Sequence, residues 1–174
     1  MTRLRMLVAV CLLFSAGCAS PANRANMTPT NLSVSSQHPY SVSTAVIGGE
    51  DTNAGSQSKI SDEEFRGALE AAMRNSRVFS QVVSIGGSDY HLEVVITNLG
   101  QPVSGLDMSV TLTTNWKLTK GGATQPTWQD FIATKHTATF GDAFVGMERL
   151  RMANEGAALK NIEEGIRRLS AIKL

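Results

Sequence analysis

The strictest pattern in the sequence is an alternation of apolar and polar residues between positions 106 and 119. The apolar set is Leu106, Met108, Val110, Leu112, Trp116 and Leu118. The polar set is Asp107, Ser109, Thr111, Thr113, Asn115, Lys117 and Thr119, and only Thr114 interrupts the apolar side. Because side chains on a strand alternate between two faces, this segment is predicted to be a half-buried strand of an antiparallel sheet.

Four further segments carry signs of strands. Residues 40–47 and 78–85 are apolar and rich in β-branched side chains, and residues 90–97 alternate between apolar and polar. After a glycine-containing turn, residues 128–140 form the returning strand of a hairpin. Together with the segment at 106–119, they predict a sheet of four to five strands.

Two helices are predicted, one before and one after the run of three consecutive strands. Ser61 and Glu64 have the spacing of a capping box. The apolar face that follows is Phe65, Ala68, Leu69, Ala72 and Met73. The last helix is expected over about 144–172, with the stripe Met152, Leu159, Ile162, Ile166 and Leu169. The order β-α-β-β-β-α predicts an α+β domain: an antiparallel sheet with both helices on one face.

The N-terminal residues have the three parts of a bacterial export signal. Two arginines form a basic region, residues 6–14 are apolar, and residues 15–17 are the small residues of a cleavage site. The apolar run is far shorter than the roughly 20 residues that a spanning helix needs. Residues 1–17 are therefore predicted to be a signal peptide, and Cys18 the first residue of the mature chain.

Residues 15–18 resemble the lipobox, the motif of the bacterial lipoprotein signal peptidase, although Ser15 stands where leucine is usual. The resemblance implies that Cys18 carries the lipid. Ala19 and Ser20 follow, in place of the aspartate that commonly signals inner-membrane retention. A lipid anchor at the periplasmic face of the outer membrane is therefore expected. An ordinary secretory signal with an incidental cysteine is the alternative.

The composition of the mature chain excludes several kinds of site. Cys11 leaves with the signal, so one cysteine remains and neither a disulfide framework nor a thiolate metal site is expected. The full chain holds 16 basic and 15 acidic residues, a balance that gives no attraction for nucleic acid. Residues 18–39, rich in Ser, Asn, Thr and Pro, are predicted to be a lipidated N-terminus and flexible tether. Residues 40–174 are predicted to form a single periplasmic domain.

No catalytic or cofactor-binding constellation is recognised in the sequence. The three histidines lack the spacing of metal ligands; they are His38, His91 and His136. Neither the serine-nucleophile turn nor the phosphate-loop motif occurs. The chain is therefore expected not to be an enzyme and to bind no metal or cofactor.

The polar side of the strand at 106–119 is a candidate contact surface. Its residues are Ser109, Thr111, Thr113, Asn115 and Lys117. The row is either a solvated strand face or a docking surface for a partner chain. Because a long exposed strand surface needs protection in an isolated domain, we expect a periplasmic protein partner there.

Residues 68–79, followed by Val82 and Val83, resemble a recurring element of small periplasmic lipoproteins, in which a helix ends in a polar turn before a phenylalanine that begins a strand. The penicillin-binding-protein activator lipoproteins and the curli-secretion lipoproteins show it. Residues 89–94 and the strand of Trp116 are similar to the auxiliary lipoproteins of lipid-transporting ABC systems. Those families are not enzymes, so the resemblance implies an accessory role in envelope transport, secretion or assembly.

Three functions stay open at this point. The first is a membrane-anchored periplasmic accessory protein that acts by protein contact. The second is a small lipid or ligand carrier, with a pocket lined by Met73, Met108, Leu112 and Trp116. The third is an envelope enzyme or a toxin-immunity inhibitor, for which Asp89, Glu93 and Asp107 are the carboxylates that could pair.

Overall fold

A computed structural model describes residues 19–83 and 87–174. The strands are β1 (His38–Ile47), β2 (Phe79–Val83), β3 (Tyr90–Gly100), β4 (Met108–Lys120) and β5 (Trp128–Ala138). The helices are α1 (Arg24–Met27), α2 (Asp62–Ser76) and α3 (Gly146–Ala171). The predicted α+β class, the five strands and the two long helices are confirmed, and α1 adds a short helix ahead of them. The predicted signal peptide and Cys18 lie outside the described residues.

The five strands form one mixed sheet in the order β2-β1-β3-β4-β5. β1 pairs in parallel with β2 and β3, whereas β3, β4 and β5 pair in antiparallel. The prediction of an antiparallel sheet is therefore wrong for β1. A period of two indicates which face a side chain takes but not the direction of a strand, and α2 supplies the crossover that a parallel β1–β2 pair requires.

Both long helices cover the same face of the sheet. α2 packs on β1 and β2, α3 packs on β4 and β5, and the two helices also touch each other. Burial along β4 follows the predicted alternation, with even positions buried and odd positions half-buried. Leu106 precedes the strand and is 73% exposed, so the buried series begins at Met108. Within the described ranges, no helix combines the length and apolarity that a membrane crossing requires.

Thr114, the single polar residue of the buried series on β4, belongs to a buried hydrogen-bond network. Its hydroxyl donates to the side-chain oxygen of Asn161 on α3 at 2.7 Å, and both residues are fully buried. The indole N–H of Trp116 donates to the same hydroxyl at 2.8 Å. The Asn161 amide donates in turn to the carbonyl of Ile132 at 3.1 Å. A polar interruption in the sequence thus joins β4, β5 and α3.

The start of α2 is capped as predicted on one side only. The Ser61 hydroxyl accepts from the Glu64 N–H at 3.3 Å. The Glu64 carboxylate does not complete the predicted capping box. It binds Arg24, accepting from the backbone N–H at 2.9 Å and from the guanidinium at 3.1 Å. The first turn of α2 therefore holds α1 in place.

Residues 22–36 pack against the domain, so the flexible tether expected over 18–39 does not describe this stretch. Ala22 and Met27 are buried. The Ala22 N–H donates to the carbonyl of Lys59 at 3.1 Å. Farther along, the Ser35 N–H donates to the Ser170 hydroxyl at 3.1 Å. The segment docks through backbone hydrogen bonds and isolated apolar side chains, and such contacts leave no periodic pattern in a sequence.

Substituting Glu155 by alanine is expected to release α1 from α3. This carboxylate is 4% exposed and accepts from the Asn23 N–H at 2.8 Å and the Asn26 amide at 3.0 Å. Without it those donors lose their acceptor, at a cost of about 2–3 kcal/mol. Amide hydrogen exchange over residues 22–30 and urea unfolding measure the change.

The matched control is Glu163→Ala, at a half-exposed position of the same helix. It should leave the exchange of residues 22–30 unchanged. If Glu155→Ala and Glu163→Ala gave the same exchange rates, the carboxylate would not be what holds the segment.

Candidate functional site

The sheet face opposite the helices is the candidate site, and we call it the open face. It carries the odd-numbered side chains of β4 and β5 and, as far as Thr97, those of β3. On β4 and β5 these side chains are half-buried or exposed at every odd position from 109 to 119 and from 129 to 137. Between Gln129 and Thr137 these side chains lie directly beside those of β4, because Ser109 pairs with Thr137 and Lys117 with Gln129. No other described element covers the face, so its side chains form one continuous and mainly polar surface.

All five residues predicted as a contact row lie on the open face: Ser109, Thr111, Thr113, Asn115 and Lys117. Neighbouring strands hold several of them. The Ser109 hydroxyl lies 2.6 Å from that of Thr137, and the Asn115 oxygen accepts from the Gln129 amide at 3.1 Å. These cross-strand pairs orient the side chains of Ser109 and Asn115.

One ion pair and one hydrogen-bonded carboxylate lie at the far end of the open face, next to the β4–β5 turn. Lys117 Nζ is 3.1 Å from Glu93 Oε1. Asp89 accepts from the Ser41 N–H at 2.8 Å and from the Ser41 hydroxyl at 2.7 Å. These hydrogen bonds, the backbone one first, hold the pKa of Asp89 below its usual value. Both carboxylates there are thus already engaged within the protein.

Phe131 is the open-face residue that the sequence analysis missed. It is 61% exposed and pairs across the strands with Asn115. The signal was present, because Phe131 has the same parity in β5 as Gln129 and Lys135, which are polar. A large aromatic residue at a strand position that alternates with the polar residues is expected to face solvent and to lie outside the hydrophobic core.

The acidic residues considered for catalysis are not brought together. Asp89 and Glu93 lie at the start of β3, whereas Asp107 lies at the opposite end of the sheet, where its carboxylate accepts from the Phe140 N–H at 3.0 Å. Among the described residues, no group of three His, Cys, Asp or Glu side chains is placed to hold a metal ion. Asp107 is therefore separated from the other two carboxylates of the enzyme hypothesis.

The residues considered for a ligand pocket lie in the hydrophobic core. Met73, Leu112 and Trp116 are fully buried, and Met108 is 8% exposed. Trp116 lies so close to Gly165 of α3 that a Cβ atom there would be 2.3 Å from its ring. These side chains fill the space between helices and sheet, which is the packing expected of a core.

The comparisons with known proteins concern the fold. No protein-family model matches the sequence, and a search of curated proteins finds no match. A Xanthomonas campestris protein of family DUF330 aligns with a TM-score of 0.58 at 11% identity, over 87% of this chain and 91% of its own. A candidate lipoprotein from Caulobacter crescentus CB15 aligns with a TM-score of 0.53 at 11% identity, over 74% and 87%.

A third similar structure is a PelC dodecamer from Paraburkholderia phytofirmans. It aligns with a TM-score of 0.51 at 10% identity, over 90% of this chain and 95% of its own. At such low sequence identity, the alignments indicate a shared fold and do not indicate a shared function. The chain therefore has an α+β fold that it shares, nearly end to end, with a DUF330 protein and with PelC.

Proposed function

We propose that this protein is a lipid-anchored accessory protein of the bacterial envelope that binds another protein through its open face. The single observation that carries the proposal is that the polar face of β3, β4 and β5 is left uncovered by the described elements. The face is pinned by cross-strand hydrogen bonds and presents one exposed aromatic ring, Phe131.

The chemistry of the open face suits a protein partner. Hydroxyl and amide groups at half-exposed positions can exchange water for hydrogen bonds with a partner chain. An exposed aromatic side chain among them can supply the buried anchor around which many interfaces are built. Because Ser109, Asn115 and Lys117 are already held by neighbouring side chains, binding would cost them little side-chain entropy.

The anchor rests on Cys18 and its small-residue neighbours, and the location follows from the residues after it. One solved structure with this fold is a candidate lipoprotein, which supports the same reading. More than one acyl chain gives durable attachment, since each buried methylene adds about 0.8 kcal/mol. Attachment at the periplasmic face of the outer membrane would present the open face to periplasmic proteins.

A photo-crosslinking amino acid at Thr113, in the middle of the open face, should give one discrete adduct with another protein in living cells. The same amino acid at Glu63 is the control, because that side chain is 77% exposed on α2, away from the open face. Mass spectrometry of the adducts identifies what is bound.

The proposal predicts a Thr113 adduct that the Glu63 probe does not form. It also predicts that Cys18→Ala removes both the adduct and the protein from the membrane fraction. Adducts that are the same from both positions would argue against a specific face. An adduct of twice the mass of this chain would replace the second protein by another copy.

A further inference from the structure

The largest exposed apolar side chains outside the open face gather on two neighbouring loops, which we call the apolar tip. The β3–β4 loop contributes Val103 and Leu106, at 93% and 73% exposure. The β5–α3 loop contributes Phe140, Phe144 and Val145, at 47%, 84% and 54%. Single exposed apolar residues are ordinary, but five on adjacent loops form a patch that calls for an occupant.

A buried arginine holds the two loops together. Arg149 of α3 is 5% exposed. Its guanidinium donates to the carbonyls of Ala143 at 2.7 Å and Phe144 at 2.9 Å, and to that of Gly105 in the other loop at 3.4 Å. The Phe140 and Phe144 rings meet edge to face at 5.6 Å. The two loops of the apolar tip are therefore held in a defined conformation.

The two carboxylates of these loops bond to backbone groups of the same loops. Asp107 accepts from the Phe140 N–H, and Asp142 accepts from the Thr139 N–H at 2.6 Å. The second bond holds the pKa of Asp142 below its usual value. Both carboxylates thus stay exposed but are held against the loop backbone, beside the exposed apolar side chains.

The chain enters the domain at the same end as the apolar tip. Ala22 bonds to Lys59, and two residues earlier the Gln57 amide donates to the carbonyl of Pro102 at 3.2 Å, next to Val103. Cys18 lies four residues before Ala22, so its reach from the buried Ala22 is at most about 14 Å. A lipid on Cys18 would hold this end of the protein at the bilayer surface.

We propose that the apolar tip inserts into the bilayer interface beside the lipid of Cys18. The inference rests on the proposed anchor. The bilayer is the occupant because Cys18 lies only four residues before the docked Ala22, so a lipid on Cys18 would keep the apolar tip close to the membrane. Phe, Leu and Val side chains are suited to the boundary between headgroups and acyl chains.

The test uses the full chain, matured and purified from bacteria and reconstituted in dioleoylphosphatidylcholine vesicles. Phe144→Trp places a fluorescent reporter in the apolar tip, and Phe131→Trp places one on the open face; both parent residues are exposed. Vesicles with brominated acyl chains quench only indoles that reach the membrane. The unsubstituted chain, with Trp116 and Trp128, gives the background.

The expected result is a loss of fluorescence from the tip reporter in brominated vesicles, with no loss from the open-face reporter. Flotation of the same samples measures separately whether the protein is attached to the vesicles. Flotation without quenching of the tip reporter overturns the tip and leaves the anchor standing, whereas failure to float overturns the anchor. Equal quenching of both reporters, or a protein adduct from a crosslinker at position 144, also overturns the inserted tip.

Discussion

Replacing Gly165 by alanine is expected to destabilise the domain by about 2 kcal/mol, although alanine is the better helix former. The added Cβ atom would lie 2.3 Å from two ring atoms of Trp116. That ring is fully buried and hydrogen-bonded to Thr114, so it has no free space into which to move. Overpacking of about 3 kcal/mol is offset by about 1 kcal/mol of helix propensity.

At this chain length, such a loss lowers the unfolding temperature by about 4–8 °C. Calorimetry or urea unfolding measures it. Larger side chains at position 165 should cost more, since each further atom enters the same occupied volume.

Gly156 is the matched control in the same helix. A Cβ atom there would lie 2.1 Å from the His136 ring, a distance as short as that between a Cβ atom at position 165 and Trp116. That ring is half-exposed and can turn toward solvent. Gly156→Ala should therefore leave the free energy of unfolding unchanged or raise it by up to about 1 kcal/mol. Equal destabilisation by the two alanines would mean that the Trp116 contact is not what decides the cost.

Replacing Asn161 by leucine is expected to cost about 3 kcal/mol. The two side chains have the same number of heavy atoms and the same branch point, and leucine favours the helix more, so the loss is assigned chiefly to the polar network. The Ile132 carbonyl loses its amide donor, and the Thr114 hydroxyl loses its 2.7 Å acceptor in a place that water does not reach. Each buried group that loses its partner costs about 1–3 kcal/mol, and the long 3.4 Å contact between the Thr114 hydroxyl and the Ile132 carbonyl offsets only part of that cost.

Lys160→Leu, one position earlier on the exposed side of α3, controls for the helix itself. It should change the free energy of unfolding by no more than about 0.5 kcal/mol. Tryptophan fluorescence gives a second readout, because the Trp116 indole lies 3.3 Å from the Asn161 oxygen. An unshifted emission in Asn161→Leu, together with unchanged stability, would contradict a structural role for the network.

Local patterns predicted the elements of this fold that local chemistry determines. The alternation on β4, the Ser61 cap and the parity of the open-face row are all readable because neighbours in sequence are neighbours in space. Thr114 stood out in the same way, as an exception. Its partner Asn161 could not be identified from the sequence, because the two residues are 47 positions apart and neither local pattern indicates the contact.

The parallel pairing of β1 escaped prediction for a related reason. Strand direction follows from where α2 delivers the chain, and that depends on packing across the whole domain. Phe131 shows the remaining gap on the candidate site. The alternation along β5 assigns the Phe131 ring to one face of the sheet. Only the packing of the helices shows that this face is the uncovered one.

The docking of the N-terminal segment has a consequence for the order in which the protein can fold. Asn23 bonds to Glu155, Ser35 to Ser170 and His38 to Leu169, which are separated by 132, 135 and 131 residues. The first described stretch of the chain is thus completed only by α3, the last of the described helices. Contacts that span so much sequence form late and slowly. The N-terminal segment therefore cannot complete its packing until α3 has folded against the sheet to receive it.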